Sequence, residues 1–234
     1  DRMIVSDIPG TTRDAVDTKI TFRDKDVIII DTAGLRRKSK ISKKIEAYSV
    51  SSAIKTIEKA HVVNLILDAS EGISHQDAGI AHMVSTYGKG LCLVFNKWDL
   101  VKGRLKEAEY KEKVQEKIPH CSFSPVVFTS AKTGQNIEKI LDMDIRIFAQ
   151  LSRRINTPDL NKSVEGFLEK TGISYTQGKQ VKIYYVNQIG IFPPTFLLFS
   201  NYPELIPEHY KRYLENSIRS KYGFKGAPIR LLFR

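Results

Sequence analysis

The feature that most constrains this chain is an alternation of strand-length apolar runs with helix-length amphipathic stretches over its first two-thirds. Val62–Leu67, Leu91–Phe95 and Val126–Thr129 read as buried strands. Between the first two lies a helix entered through Ser74, with Asp77 three residues on as a capping-box partner. Between the second and third lies a charged helix over Glu107–Ile118, and a last helix runs from Asn136 to about Gln150. Strands separated by helices imply an α/β, doubly wound sheet, whose candidate site lies in the loops at the strands' carboxyl ends. Ahead of this series, Thr18–Phe22 and Val27–Ile30 flank the polar Arg23-Asp24-Lys25-Asp26 and read as a hairpin. Val50, Ala53, Ile54 and Ile57 then recur at helical spacing.

The pattern breaks at Ser152–Pro158. Beyond it the order becomes helix (Leu160–Lys170), strands (Val181–Val186 and Thr195–Ser200), helix (Glu208–Tyr222) and strand (Ile229–Phe233), a small α+β module. Two domains are therefore expected, 1–153 and 154–234. No apolar run exceeds strand length, which argues against a membrane helix. A composition of 41% hydrophobic and 27% charged residues excludes disordered and collagen-like chains. Cys92 and Cys121 lack ligand spacing to any histidine, which argues against a disulfide framework or zinc site and fits a reducing cytoplasm. The net charge of +11 is uneven: residues 151–234 carry 13 basic and 6 acidic side chains, against 24 and 20 in residues 1–150. That excess suggests a polyanionic partner for the second module.

Four short segments carry chemistry. Asp31-Thr32-Ala33-Gly34 follows the strand ending at Ile30; its Asp can hold Mg²⁺ through water, and Gly34 lets a backbone N–H approach a terminal phosphate. Asn96-Lys97-Trp98-Asp99 follows Leu91–Phe95. The Asp99 carboxylate can accept two N–H bonds from the N1 and N2 edge of guanine, which adenine cannot offer; a polar site that loses its partner discriminates by a factor on the order of 10⁴. Asn96 can bond the purine's other edge, and the Lys97 stem can lie over the ring. Ser130-Ala131-Lys132 follows the next strand, where small residues allow a backbone N–H to reach guanine O6. Upstream, in Pro9-Gly10-Thr11-Thr12-Arg13-Asp14, a Thr hydroxyl can ligate Mg²⁺ while its N–H meets a γ-phosphate, ordering the loop only when that phosphate is bound.

On these motifs the sequence resembles the small bacterial GTPases of the Era, MnmE and EngA (Der) group. The resemblance implies a P-loop-NTPase-type sheet that binds GTP and GDP. Gly10, Thr11 and Thr12 match switch I, with Thr12 on Mg²⁺; Asp31, Thr32, Ala33 and Gly34 match switch II. Asn96, Lys97 and Asp99 match the guanine-specificity motif, and Ser130, Ala131 and Lys132 the final base motif. The tail segments Lys182-Ile183-Tyr184-Tyr185, Pro193-Pro194-Thr195-Phe196, Tyr213-Leu214-Glu215-Asn216 and Ala227-Pro228-Ile229-Arg230 look like the carboxyl-terminal KH-like domain of EngA/Der. The resemblance thus covers nearly the whole chain, as a second GTPase domain followed by that KH-like domain. It implies a monomeric cytoplasmic switch that assists assembly of the large ribosomal subunit and contacts its rRNA.

Two departures qualify it. The phosphate-binding G-x-x-x-x-G-K-[ST] does not occur here, so the sheet is expected to be truncated at its N-terminus and the chain to be inactive alone, with the missing segment upstream of Asp1 in the complete protein. Leu35 follows the D-T-A-G, where a Gln would orient the attacking water in Ras-like GTPases; no catalytic base can be named, and the resemblance implies hydrolysis assisted by K⁺. Residues 36–44 hold six basic side chains in nine, either a solvated loop or, through Arg36, Arg37 and Lys38, an RNA contact. Gly223-Phe224-Lys225-Gly226 matches the nucleic-acid clamp of KH modules, but it joins a helix to a strand rather than two helices and is expected to be a decoy. The tail's aromatics, Tyr184, Tyr185, Phe196, Phe199, Tyr213 and Phe233, are expected mostly in the core. From another functional class, the alternative is a nucleotide-free adaptor that binds RNA or protein through the KH-like module.

Overall fold

The computed structural model describes residues 17–30, 53–103, 106–172 and 178–234. The chain divides into two compact units, Asp1–Ala60 and His61–Arg234. In the first, β1 (Asp17–Phe22) and β2 (Lys25–Ile30) pair antiparallel from Asp17↔Ile30 to Phe22↔Lys25. The sequence assigns four residues to the turn, but the structure uses two. Arg23 and Asp24 take φ of 50° and 60°, the positive pair that matches the twist of a two-residue hairpin loop. Lys25 and Asp26 are thereby released into β2, where Asp26 accepts a hydrogen bond from Thr21 Oγ1 (3.2 Å) and pairs with Lys19 (2.7 Å). A helix over residues 53–59 (α1) buries Ala53 and Ile57.

The second unit begins with β3 (Val62–Asp68), α2 (His75–Thr86), β4 (Gly90–Asn96), α3 (Glu107–Lys117), β5 (Val126–Phe128) and α4 (Ile137–Leu151). The strands form a parallel sheet in the order β3-β4-β5. The expected capping box closes α2: Asp77 N–H donates to Ser74 Oγ, and Ser74 N–H donates to Asp77 Oδ2 at 2.8 Å. Every residue from Leu91 to Phe95 is at most 1% exposed, as a central strand covered on both faces requires. Cys92 and Val94 join the cluster that contains Ile147 and Leu151 of α4, while Phe95 packs on Tyr110 of α3.

The remainder comprises α5 (Thr157–Lys170), β6 (Ile183–Gly190), β7 (Thr195–Ser200), α6 (Glu208–Tyr222) and β8 (Arg230–Phe233). In the sheet β6-β7-β8, the first pair is antiparallel and the second parallel. Helix α5 starts three residues before the expected Leu160, because Pro158 falls in its first turn, where its missing N–H is not needed. Strand β6 runs on to Gly190 and carries an extra residue: Ile183 faces Ser200 and Tyr185 faces Phe199, leaving Tyr184 without a register partner. The core expectation holds for Phe196, Tyr213 and Phe233 but not for Tyr184 and Tyr185, which are exposed.

One continuous apolar cluster runs from Cys92, Val94 and Val127 through Ile147 and Leu151 to Leu160, Phe196, Leu214 and Phe224. At its centre Ile147 fills the space that two glycines leave open. A methyl group at Gly90, the first residue of β4, or at Gly226, ahead of β8, would overlap the Ile147 side chain. The G-x-x-G loop is accordingly engaged inside the fold. Gly226 N–H donates to Phe123 C=O and Gly226 C=O accepts from Leu91 N–H, both at 2.9 Å; Phe224 N–H donates to Gln150 Oε1. Arg219 donates to the carbonyls of Phe224 and Ala227, and Phe224 is fully buried.

A polar pair lies beside this core. Asn64 Nδ2 of β3 donates to Asp144 Oδ2 of α4 at 2.9 Å, while Asn64 Oδ1 and Asp144 Oδ1 are buried without partners. Burial pushes the Asp144 carboxyl up to about 6, because a charge out of reach of water is disfavoured, and the opposing Asn64 hydrogen bond offsets only part of that. Burial also raises the Cys92 thiol, and the Asp144 charge adds to that.

Two outcomes follow for stability. Gly90→Ala is expected to cost about 1–3 kcal/mol of overpacking, and Gly90→Ala/Ile147→Ala to be less destabilised than the sum of the single variants by about 1 kcal/mol. Urea unfolding of the four proteins measures this, and strict additivity would disprove the wedge. For Asp144 the folded value lies above the unfolded one. Its contribution is therefore full below about pH 4 and declines by about 2–3 kcal/mol as pH rises to about 6. Asp144→Asn is expected to gain stability relative to the natural chain across that window, and a difference independent of pH would refute the assignment.

Candidate functional site

Parallel pairing sets the carboxyl ends of β3, β4 and β5 side by side: Asp68 is in register with Asn96, and Phe95 with Phe128. The chain leaves β4 through Lys97, which takes φ 61° and ψ 32° and turns the backbone into a short 3-10 turn, Trp98–Leu100. Trp98 is buried against Phe128 (ring centroids 4.4 Å apart) and Tyr110 (5.2 Å), and its backbone N–H donates to Thr129 C=O at 2.9 Å. This aromatic packing fixes the loop at Asn96–Asp99.

The loop after β5 is held as firmly. Ser130, fully buried, donates its N–H to Gln135 C=O (3.1 Å) and accepts from Thr133 N–H at Oγ (3.3 Å). Asn136, at φ 59°, donates Nδ2 to Phe128 C=O at 2.9 Å. The two loops meet where Ala131 N–H donates to Asn96 Oδ1 at 2.9 Å, across 35 residues of sequence. The Ala131 N–H is therefore already satisfied. Half-buried Asp99 makes no hydrogen bond or ion pair with any described residue, and the N–H of exposed Lys132 is likewise unbonded among them.

Asp68 is a participant that sequence reading does not single out. Its Oδ2 lies 2.6 Å from Lys97 Nζ, and its Oδ1 accepts from Ser70 N–H (2.9 Å) and Ser70 Oγ (2.6 Å). Burial raises the Asp68 carboxyl, but the Lys97 ammonium and the two Ser70 donors outweigh it and hold the group at about 2. The signal was an acidic residue closing an apolar strand, a pattern too common to mark a site without the register that sets it beside Asn96.

Asn96, Lys97, Asp99, Ser130, Ala131 and Lys132 are thus brought together at one end of one sheet. Gly10, Thr11, Thr12, Asp31, Thr32, Ala33, Gly34, Arg36, Arg37 and Lys38 lie outside the described residues. Among the described residues, no group of three or more His, Cys, Asp or Glu side chains is placed to hold a metal ion, and no helix is long and apolar enough to cross a membrane.

Comparison with known proteins adds independent findings. Residues 1–97 match a family described as a 50S ribosome-binding GTPase, and residues 154–234 one described as the KH-domain-like, C-terminal region of EngA bacterial GTPase enzymes. GTPase Der of Natranaerobius thermophilus is 44% identical over 235 residues, which cover 100% of this chain and 53% of that protein. GTPase Der of Caldanaerobacter subterraneus subsp. tengcongensis is 46% identical over 230 residues, 98% of this chain and 52% of that protein. The chain spans about half the length of the curated relatives it matches. Among solved structures, Era in complex with MgGDPNP and nucleotides 1506-1542 of 16S ribosomal RNA shares the fold at a TM-score of 0.52 and 20% identity, over 98% of this chain and 83% of Era. With Der sequences matching it from end to end and the EngA-type module in its last third, the chain belongs to the Der (EngA) family of bacterial GTPases.

Proposed function

We propose that this chain is part of a GTP-binding and GTP-hydrolysing switch that assists assembly of the large ribosomal subunit. The observation that carries this reading is the Asn96–Ala131 hydrogen bond, which joins the two base motifs beside a half-buried Asp99 that has no partner among the described residues. A carboxylate so placed suits the paired N–H donors of guanine and leaves adenine unmatched. In this reading Lys97, steered by Asp68, lies along the purine ring, while the Asn96 amide and the Lys132 N–H serve the base's other edge. GTP and GDP are the ligands that this donor and acceptor set fits.

The domains are 1–153, the nucleotide-binding part, and 154–234, the KH-like part. Gly10, Thr11 and Thr12 meet the phosphates in the GTP-bound form, as does the Asp31–Gly34 segment. Thr12 would hold Mg²⁺ directly and Asp31 through water, the ion offsetting phosphate charge; K⁺ is the further cation of this proposal. Leu35 cannot orient a water molecule, so positioning and electrostatics rather than a side-chain base account for turnover. Ribosomal RNA is the proposed polyanion, with Arg36, Arg37 and Lys38 among its contacts. The complete protein acts as a cytoplasmic monomer in this account.

Asp99→Asn in the complete protein tests it. An amide donates where the carboxylate accepts, so preference is expected to move from guanine toward xanthine nucleotides by about 10²-fold or more, with folding intact. Competition binding of GDP and XDP, with thermal unfolding alongside, measures it; unchanged base preference would remove Asp99 from the site.

A further inference from the structure

Away from the base site, a groove of about 230 Å³ lies between α5 and the start of β6. It is lined by Asn161, Val164, Glu165 and Leu168 of the helix and by Ile183, Tyr184 and Tyr185 of the strand. The helix residues recur at i, i+3, i+4 and i+7, so they form one stripe. The volume falls below the roughly 300–1,000 Å³ of sites that enclose a small molecule. It suits one long side chain.

The bulge at Tyr184 shapes the strand side. In a regular strand, neighbouring side chains point to opposite faces; here the extra residue re-aims one, and Tyr184 and Tyr185 are exposed at 66% and 44%. Farther along the same strand, Asn161 closes the open edge. Its Oδ1 accepts from Val186 N–H (2.9 Å) and its Nδ2 donates to Val186 C=O (2.8 Å). An added β-strand is excluded at Val186, so the groove serves a side chain entering from solvent.

Its chemistry selects which one. Val164, Leu168 and Ile183 offer apolar walls, two phenol rings offer π faces, and the exposed Glu165 has no ion-pair partner among the described residues. A long apolar stem ending in a delocalised cation satisfies all three. We propose that this groove receives an arginine side chain from a partner polypeptide, its methylenes against Val164 and Leu168 and its guanidinium between a tyrosine ring and Glu165. Among the described lining residues, no cationic group matches the carboxylate of free arginine, which favours a peptide. Nucleic acid carries no cation to pair with Glu165.

The test uses the complete protein with the peptide acetyl-Gly-Gly-Arg-Gly-Gly-amide, its citrulline counterpart and free arginine as probes, followed by NMR of the tyrosine rings. The arginine peptide is expected to shift the Tyr184 and Tyr185 ring signals. Citrulline, Glu165→Gln and Tyr184→Leu are each expected to weaken binding about fivefold or more. Both variants alter exposed side chains, and unchanged thermal unfolding separates lost binding from lost fold. Absence of any shift, equal affinity for arginine and citrulline peptides, or an unaffected Glu165→Gln variant would overturn the proposal. Free arginine binding as tightly as the peptide would overturn it in favour of a small-molecule site. Displacement of the peptide by a single-stranded RNA oligonucleotide would overturn it in favour of a nucleic-acid surface.

Discussion

The packing of Ile147 between Gly90 and Gly226 is the contact on which the larger unit depends. A helix can approach the start of a buried strand and a following loop this closely only where both lack a Cβ. The approach brings Gly226 C=O within reach of Leu91 N–H, so the loop before β8 accepts a hydrogen bond from the second residue of β4. Apolar burial and backbone pairing reinforce each other here.

That arrangement has a mechanical consequence for the candidate site. Strand β4 is seven residues long, its amino end tied to the loop before β8 and its carboxyl end leading into Asn96 and Lys97. Between them lie five residues that are at most 1% exposed, packed on both faces. Closely packed interiors transmit displacement from one end of such a strand to the other. The Asn96–Asp99 loop and the loop before β8 are thus joined through one buried strand.

The parts of the fold legible in the sequence were those governed by local chemistry. The Ser74–Asp77 box, the apolar run of β4 and the amphipathic α6 are each dictated by neighbours within a few residues, and period and capping report them directly. What escaped depended on contacts distant in sequence. The hairpin turn shortened because Lys25 and Asp26 find partners on β1, and the composition of the loop cannot show that. Tyr184 and Tyr185 are aromatic residues in an apolar strand, but that strand is the edge of its sheet and carries a bulge between Ile183 and Tyr185, and composition reports neither. The Asn96 and Ser130–Lys132 motifs were legible by spacing. Asp68 was not, since its role exists only once parallel pairing sets it beside Asn96 and lets it reach Lys97.

The G-x-x-G loop makes the same distinction from the opposite side. As a string, Gly223-Phe224-Lys225-Gly226 matches a nucleic-acid clamp, whose function requires backbone N–H groups open to a phosphate chain. Here the N–H groups of Phe224 and Gly226 donate to Gln150 and Phe123, and Phe224 is fully buried. The glycines are needed for a different reason: Gly223 and Gly226 both take positive φ, and Gly226 must also admit Ile147. A motif constrains the backbone conformation of a segment, and burial then decides whether that conformation serves a ligand or the fold. In this loop it serves the fold.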